Sequence, residues 1–135
     1  MKLKNFNPTL LPKMSDIQQQ PRVSLHLKSG MFSINGVGCE LIGLEKGDQI
    51  ELYQDEEEPE NWYIAKVKEG GWTLNQKGAG STALFFCNRQ ACRLMMESVD
   101  VVPTTPGVKL PIAGQPTKNG KQLLHRILVI AAKRN

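Results

Sequence analysis

Few residues in this chain have the chemistry for catalysis: two histidines, three cysteines and thirteen carboxylates. His26 and His125 each alternate with apolar neighbours, and neither has a serine, cysteine or carboxylate at a spacing that would build a triad or a metal pair. Both read as structural or solvated side chains. Cys39, Cys87 and Cys92 cannot all pair within one chain and none sits in a ligand-type spacing, so their apolar surroundings predict three buried free thiols. The run Asp55-Glu56-Glu57-Glu58-Pro59-Glu60 lacks the alternating donors and central glycine of a calcium loop. Gly78-Ala79-Gly80-Ser81 lacks the spacing of a phosphate or dinucleotide loop. No acid, base and nucleophile can be assembled from these parts, so the expectation is a protein that is not an enzyme, with no catalytic residue, no metal and no cofactor.

The chemistry that remains is that of charge and stacking. Residues 40–60 hold nine acids against Lys46 alone, a local charge of −8, while the formal total is +4, so the rest of the chain carries +12. After Thr104 there are six cations and no acid. Clustered on one face, such cations attract a polyanion; dispersed, they are a solvated surface. The candidate phosphate contacts are Lys66, Lys68, Arg89, Arg93, Lys109, Lys118, Lys121 and Arg126, with Lys77, Lys133 and Arg134 nearby in sequence. Trp62, Tyr63 and Trp72 fall on strands where neighbours point to opposite faces, so one of each pair belongs to the core. Trp62 or Trp72, whichever faces out beside a cation, would make a platform for unstacked bases.

The elements that position these residues are mostly strands. Residues 1–21, with two prolines in 1–20, predict a flexible arm, and 22–135 a single β-rich domain. Val23, Leu25 and Leu27 alternate with Ser24, His26 and Lys28 as a half-buried strand does, and Ser29-Gly30 turns the chain into Met31–Ile34. Asn35 is placed to cap a short helix that Gly43 ends. Strands follow at 49–53, 62–67 and 72–74, the last two read as a hairpin closed by Glu69-Gly70-Gly71. A further strand ends at Phe86, and Asn88 caps a helix over 89–97. Val108, Leu110 and Ile112 then alternate, Pro116 to Gly120 turns, and Leu123 to Ile130 reads as a buried strand. The fold class is therefore mainly β, an α+β antiparallel meander sheet or barrel with two short helices.

One internal echo stands out. Phe32, Asn35, Cys39 and Leu41 recur fifty-three positions later as Phe85, Asn88, Cys92 and Leu94, each set reading as strand, cap and short helix with the cysteine and leucine facing the core. This pattern is consistent with an internal βα duplication.

Residues 31–54 resemble the AbrB/SpoVT swapped-hairpin domains through Ile34, Leu41, Leu44, Gly47, Asp48 and Ile50, a strand, short helix and leucine-x-x-glycine-aspartate turn before the next strand. Asn35-Gly36 stands where the family carries a proline and a basic residue. That resemblance implies a dimeric DNA-binding module related to transcription regulators. Residues 62–99 more faintly resemble the Pur and Whirly-like single-strand binders. The expected function is thus a non-enzymatic nucleic-acid-binding protein, a transcription regulator or single-strand binder of DNA or RNA acting as a homodimer. The alternative is a structural or protein-interaction accessory protein that uses its sheet edges and the acidic loop 55–60. No apolar run approaches the ~20 residues of a membrane span and the N-terminus lacks a secretory apolar stretch, so the cytoplasm, with no membrane partner, is the expected location.

Overall fold

The protein is described by a computed structural model that covers residues 20–76, 78–98 and 107–128. Residues 1–19, which make up nearly all of the expected arm, together with Lys77, Lys133, Arg134 and the end of the strand expected to reach Ile130, lie outside the described residues. Gln20 and Pro21 are bound into the fold: the Gln20 carbonyl accepts from Asn35 Nδ2 at 2.6 Å and the Pro21 carbonyl from the Ile112 amide at 2.9 Å.

The chain is mainly β, with ten strands and two helices among the described residues. They run β1 (Arg22–His26), β2 (Met31–Ile34), α1 (Gly36–Ile42), β3 (Gln49–Gln54), β4 (Trp62–Val67), β5 (Trp72–Thr73), β6 (Asn75–Gln76), β7 (Leu84–Cys87), α2 (Arg89–Ser98), β8 (Gly107–Pro111), β9 (Thr117–Asn119) and β10 (Gln122–Ile127). Two antiparallel five-stranded sheets result, in the orders β6-β7-β2-β1-β8 and β5-β3-β4-β10-β9, and neither closes into a barrel. Their margins nevertheless meet. β5 and β6 flank the fully buried Leu74 and hand the chain from one sheet to the other. On the far side a bridge between Ile112 and Ile127 ties the β8 end to β10.

The meander expectation holds for β3 and β4 and fails for the next strand. β5 pairs with β3, Ile50 opposite Trp72, and makes no ladder with β4. Gly71 makes this possible. The link from β4 passes directly over the Ile50 carbonyl, where any Cβ would collide with that backbone oxygen, and the Gly71 amide donates to Gln49 Oε1 at 3.1 Å.

The echo is built into the strand pairing. β2 pairs with β7, and β4 with β10. β1 pairs with β2, and β6, which begins fifty-three residues after β1, pairs with β7; beyond the helices that offset does not continue, since it carries β4 to residues 115–120 and not to β10. Asn35 Oδ1 accepts from the Gly38 amide at 2.9 Å and Asn88 Oδ1 from the Ala91 amide at 2.8 Å, the same i+3 cap fifty-three residues apart. The helix starts are braced reciprocally: Gly30, in the β1–β2 turn, lies against the Arg89 backbone, and Thr82, before β7, lies against Gly36.

Two details of the echo differ from expectation. Strand facing is out of step by one residue, so the buried partner of Phe32 is Phe86, stacked on it with centroids 4.6 Å apart, and Phe85 is only half-buried. Leu94 is 47% exposed, because the stripe of α2 that meets the core is Cys92, Met95 and Met96, the i, i+3, i+4 set, and Leu94 falls off it. A single buried cluster draws Phe32 and Ile34 from the first sheet, Ile50, Ile64 and Ile127 from the second, and the helix residues Cys39, Cys92 and Met95.

Candidate functional site

β4 and β10 are antiparallel neighbours, with His125 opposite Ile64 and Arg126 opposite Tyr63. Alternation then sends Trp62, Ile64 and Lys66 to the same face of the sheet as His125 and Ile127. Toward one end this face is closed core, with Ile64 and Ile127 almost wholly buried. Toward the other it opens into a groove of about 820 Å³ whose lining includes Lys66, Lys68 and Lys121 together with Ile42, Val67, Leu123 and His125. That volume lies within the range of ligand-binding clefts, roughly 300–1,000 Å³.

The groove gathers three of the residues that sequence reasoning singled out. Lys66 Nζ is partly committed, 3.1 Å from the Gly43 carbonyl and 3.3 Å from Asp48 Oδ2. Asp48, the one carboxylate of the lining, is committed in turn: its Oδ2 accepts from the Glu45 amide at 2.8 Å, and that bond, with Lys66 assisting, holds its carboxyl below the usual carboxylate range. Lys68 and Lys121 are exposed and have no carboxylate partner among the described residues. Lys118 pairs with Leu123 across the β9–β10 hairpin, which puts it on the same sheet face as Leu123 but not in the lining of the groove.

The other candidates lie elsewhere. Lys109 is exposed on β8, at the margin of the first sheet. Arg89 and Arg93 are exposed on α2, Arg93 Nε 4.0 Å from Glu97. Arg126 is in a second, smaller groove with Glu57, Glu58 and Glu60, where its Nη2 donates to Asn61 Oδ1 at 2.8 Å, so it belongs to the acidic end of the molecule. Trp62 is 6% exposed, its indole Nε1–H donating to Ser98 Oγ at 2.6 Å, and its ring is not free to stack on a base. Trp72 is half-buried and occupied by Phe86, 5.0 Å away and nearly coplanar. These two rings build the core; neither is an open platform. Of the aromatic set only Tyr63, half-buried on β4, turns to the opposite face from Trp62.

Sequence reasoning missed other parts of the groove lining. Leu123, expected inside, is 46% exposed there. His125 is 5% exposed, has no hydrogen bond within the described residues, and its Nδ1 is sealed without a partner; burial pushes its pKa below the ordinary 6.5. The cysteines divide: Cys39 and Cys92 are buried, with thiol pKa raised by burial, whereas Cys87 is exposed because alternation along β7 turns it outward. Among the described residues no group of three or more His, Cys, Asp or Glu is placed to hold a metal, and no helix is long and apolar enough to cross a membrane.

No family model, curated protein or solved structure matches the chain.

Proposed function

We propose that this is a non-enzymatic nucleic-acid-binding protein that holds a phosphate backbone along the groove between β4 and the β9–β10 hairpin. The observation that carries the reading is the convergence of Lys66, Lys68 and Lys121 on one groove whose single carboxylate is already taken. The acidic residues 55–60 lie at the opposite end of β4, beyond Trp62, about 13 Å along the strand from Lys66 at ~3.3 Å per residue. A polyanion would be drawn to one end of the sheet and repelled from the other. The expected nucleic-acid partner thus finds one groove where sequence reasoning placed scattered cations.

The test is a salt titration against single-stranded DNA, duplex DNA and RNA. Each neutralised phosphate contributes roughly 0.7–0.9 to the log–log salt slope, so the triple variant Lys66→Gln, Lys68→Gln, Lys121→Gln should lose about 2–3 units of slope together with most of its affinity. Unchanged binding by that variant, or no binding of any polymer at low salt, overturns the reading. In its place would stand a protein-interaction function centred on the second groove, where Glu57, Glu58 and Arg126 face one another.

The expected homodimer is open to a direct measurement. One pair of like elements already joins within one chain: β2 pairs with β7, the strand fifty-three residues on, as two half-length chains would across a two-fold axis. On this reading one chain is the binding unit, and sedimentation at the binding concentration should give the 15.0 kDa monomer.

A further inference from the structure

A groove that only tracks phosphates needs cations and water. This one also has apolar lining residues and a buried imidazole with no hydrogen bond among the described residues. Leu123 leaves nearly half its surface open beside Ile42 and Val67. Apolar area of that kind is stabilised by a flat, weakly hydrated group laid over it. The imidazole has its own requirement. Its Nδ1 is sealed from solvent and unpartnered, and an unsatisfied buried N–H is costlier than an unsatisfied lone pair, which favours the tautomer that carries its proton on Nε2.

We propose that the groove takes one unstacked nucleobase of a single strand, laid on Leu123 and receiving a hydrogen bond from His125 Nε2–H at a carbonyl or ring-nitrogen acceptor, while Lys66, Lys68 and Lys121 hold the flanking phosphates. This rests on the nucleic-acid reading and narrows it to single strands. A paired, stacked base cannot leave the duplex to reach the groove without unstacking, which costs a few kcal/mol. A free strand has its bases already available. The lowered pKa of His125 keeps the ring neutral at pH 7, so it acts as a single donor and not as a fourth cation.

The experiment compares an end-labelled ten-residue thymidine strand with a strand of equal length and charge that lacks bases, by fluorescence anisotropy at fixed low salt. The wild-type protein should bind the base-bearing strand at least about two- to twelvefold tighter, the worth of one net hydrogen bond. Leu123→Ser, at a position 46% exposed, and His125→Phe, which keeps a ring but removes the donor, should each reduce that ratio toward one and leave affinity for the base-free strand unchanged. The lysine variant should weaken both strands together. Equal binding of the two strands by wild-type protein overturns the base site while leaving the phosphate groove intact. Survival of the ratio in Leu123→Ser overturns it even if His125→Phe fails to fold, and its survival in a folded His125→Phe removes the imidazole from the site. Binding of neither strand overturns this proposal and the function it rests on together.

Discussion

The two asparagine caps make unequal contributions, because Asn35 makes two side-chain bonds beyond its cap, one at Oδ1 from the Arg22 amide and one from Nδ2 to the Gln20 carbonyl, and Asn88 makes none among the described residues. Asn35 Oδ1 accepts from the Gly38 amide at 2.9 Å and also from the Arg22 amide at 3.1 Å, so it caps α1 and secures the start of β1 with one oxygen. Among the described residues, Asn88 Oδ1 accepts only from the Ala91 amide, at 2.8 Å. Removing a cap costs about 0.5–2 kcal/mol. A second part-buried N–H left without its acceptor adds roughly 0.5–1.5 kcal/mol. Asn88→Ala should therefore cost about 1 kcal/mol and Asn35→Ala about 2 kcal/mol. Urea unfolding followed by circular dichroism reads the difference. With a slope of about 1–3 kcal/mol/M for a small domain, a difference of about 1 kcal/mol should separate the two midpoints by roughly 0.3–1 M, at unchanged slope. Asn35→Asp retains the acceptor oxygen and places negative charge at the helix start but loses the Nδ2 donor to the Gln20 carbonyl, so it should recover only part of the loss. Equal costs for the two alanine variants would refute the argument that the additional bonds of Asn35 to Arg22 and Gln20 set the order.

Other outcomes follow from the same geometry. A thiol reagent at neutral pH should titrate one cysteine quickly, Cys87, and the other two only in denaturant, since Cys39 and Cys92 are buried with raised pKa; three fast thiols would contradict the packing of both helices. Gly30 has φ +71°, and a Cβ there would lie 2.6 Å from the Arg89 backbone, so Gly30→Ala should destabilise by well over the ~1 kcal/mol of an ordinary helix or strand glycine exchange, with thermal melting as the check. Ser98→Ala leaves the buried Trp62 indole N–H without its acceptor and should cost about 1–3 kcal/mol, visible as a lowered urea midpoint with changed tryptophan emission. His125 has a lowered pKa in the fold, so the unfolded chain binds more protons below 6.5 and stability should fall as pH drops from there through the folded value. That fall should be flattened in His125→Phe, and a pH dependence identical in both proteins would show that another group is responsible.

Local pattern in the sequence determined the elements that depend on near neighbours. Alternation from Val23 to Leu27 and from Gln49 to Leu52 defines half-buried strands, because side chains two apart share a face. The Asn35 and Asn88 caps and the Gly43 stop were legible because each acts on amides and carbonyls within four residues, as the structure shows for all three. The echo at fifty-three residues was legible because the same cap and the same buried cysteine recur. What the sequence alone could not decide was which strands lie side by side. β4 precedes β5 by a glycine pair that reads as a hairpin, yet β5 adds to β3, because Gly71 lets the chain cross over the Ile50 carbonyl. Exposure at the end of a sheet was equally hidden: Leu123 and Leu124 are alike by sequence, but one lines a groove and the other is buried, and only the packing around β10 distinguishes them. Charge followed the same division. The sequence counted the cations, and it took the antiparallel pairing of β4 with β10, and of β10 with β9, to bring residues 66, 68 and 121, more than fifty positions apart, onto one groove and to send Arg126, one residue past the groove's histidine, to the acidic end. Successive side chains on a strand point to opposite faces, and which of those faces opens to solvent is settled only by what packs against the sheet.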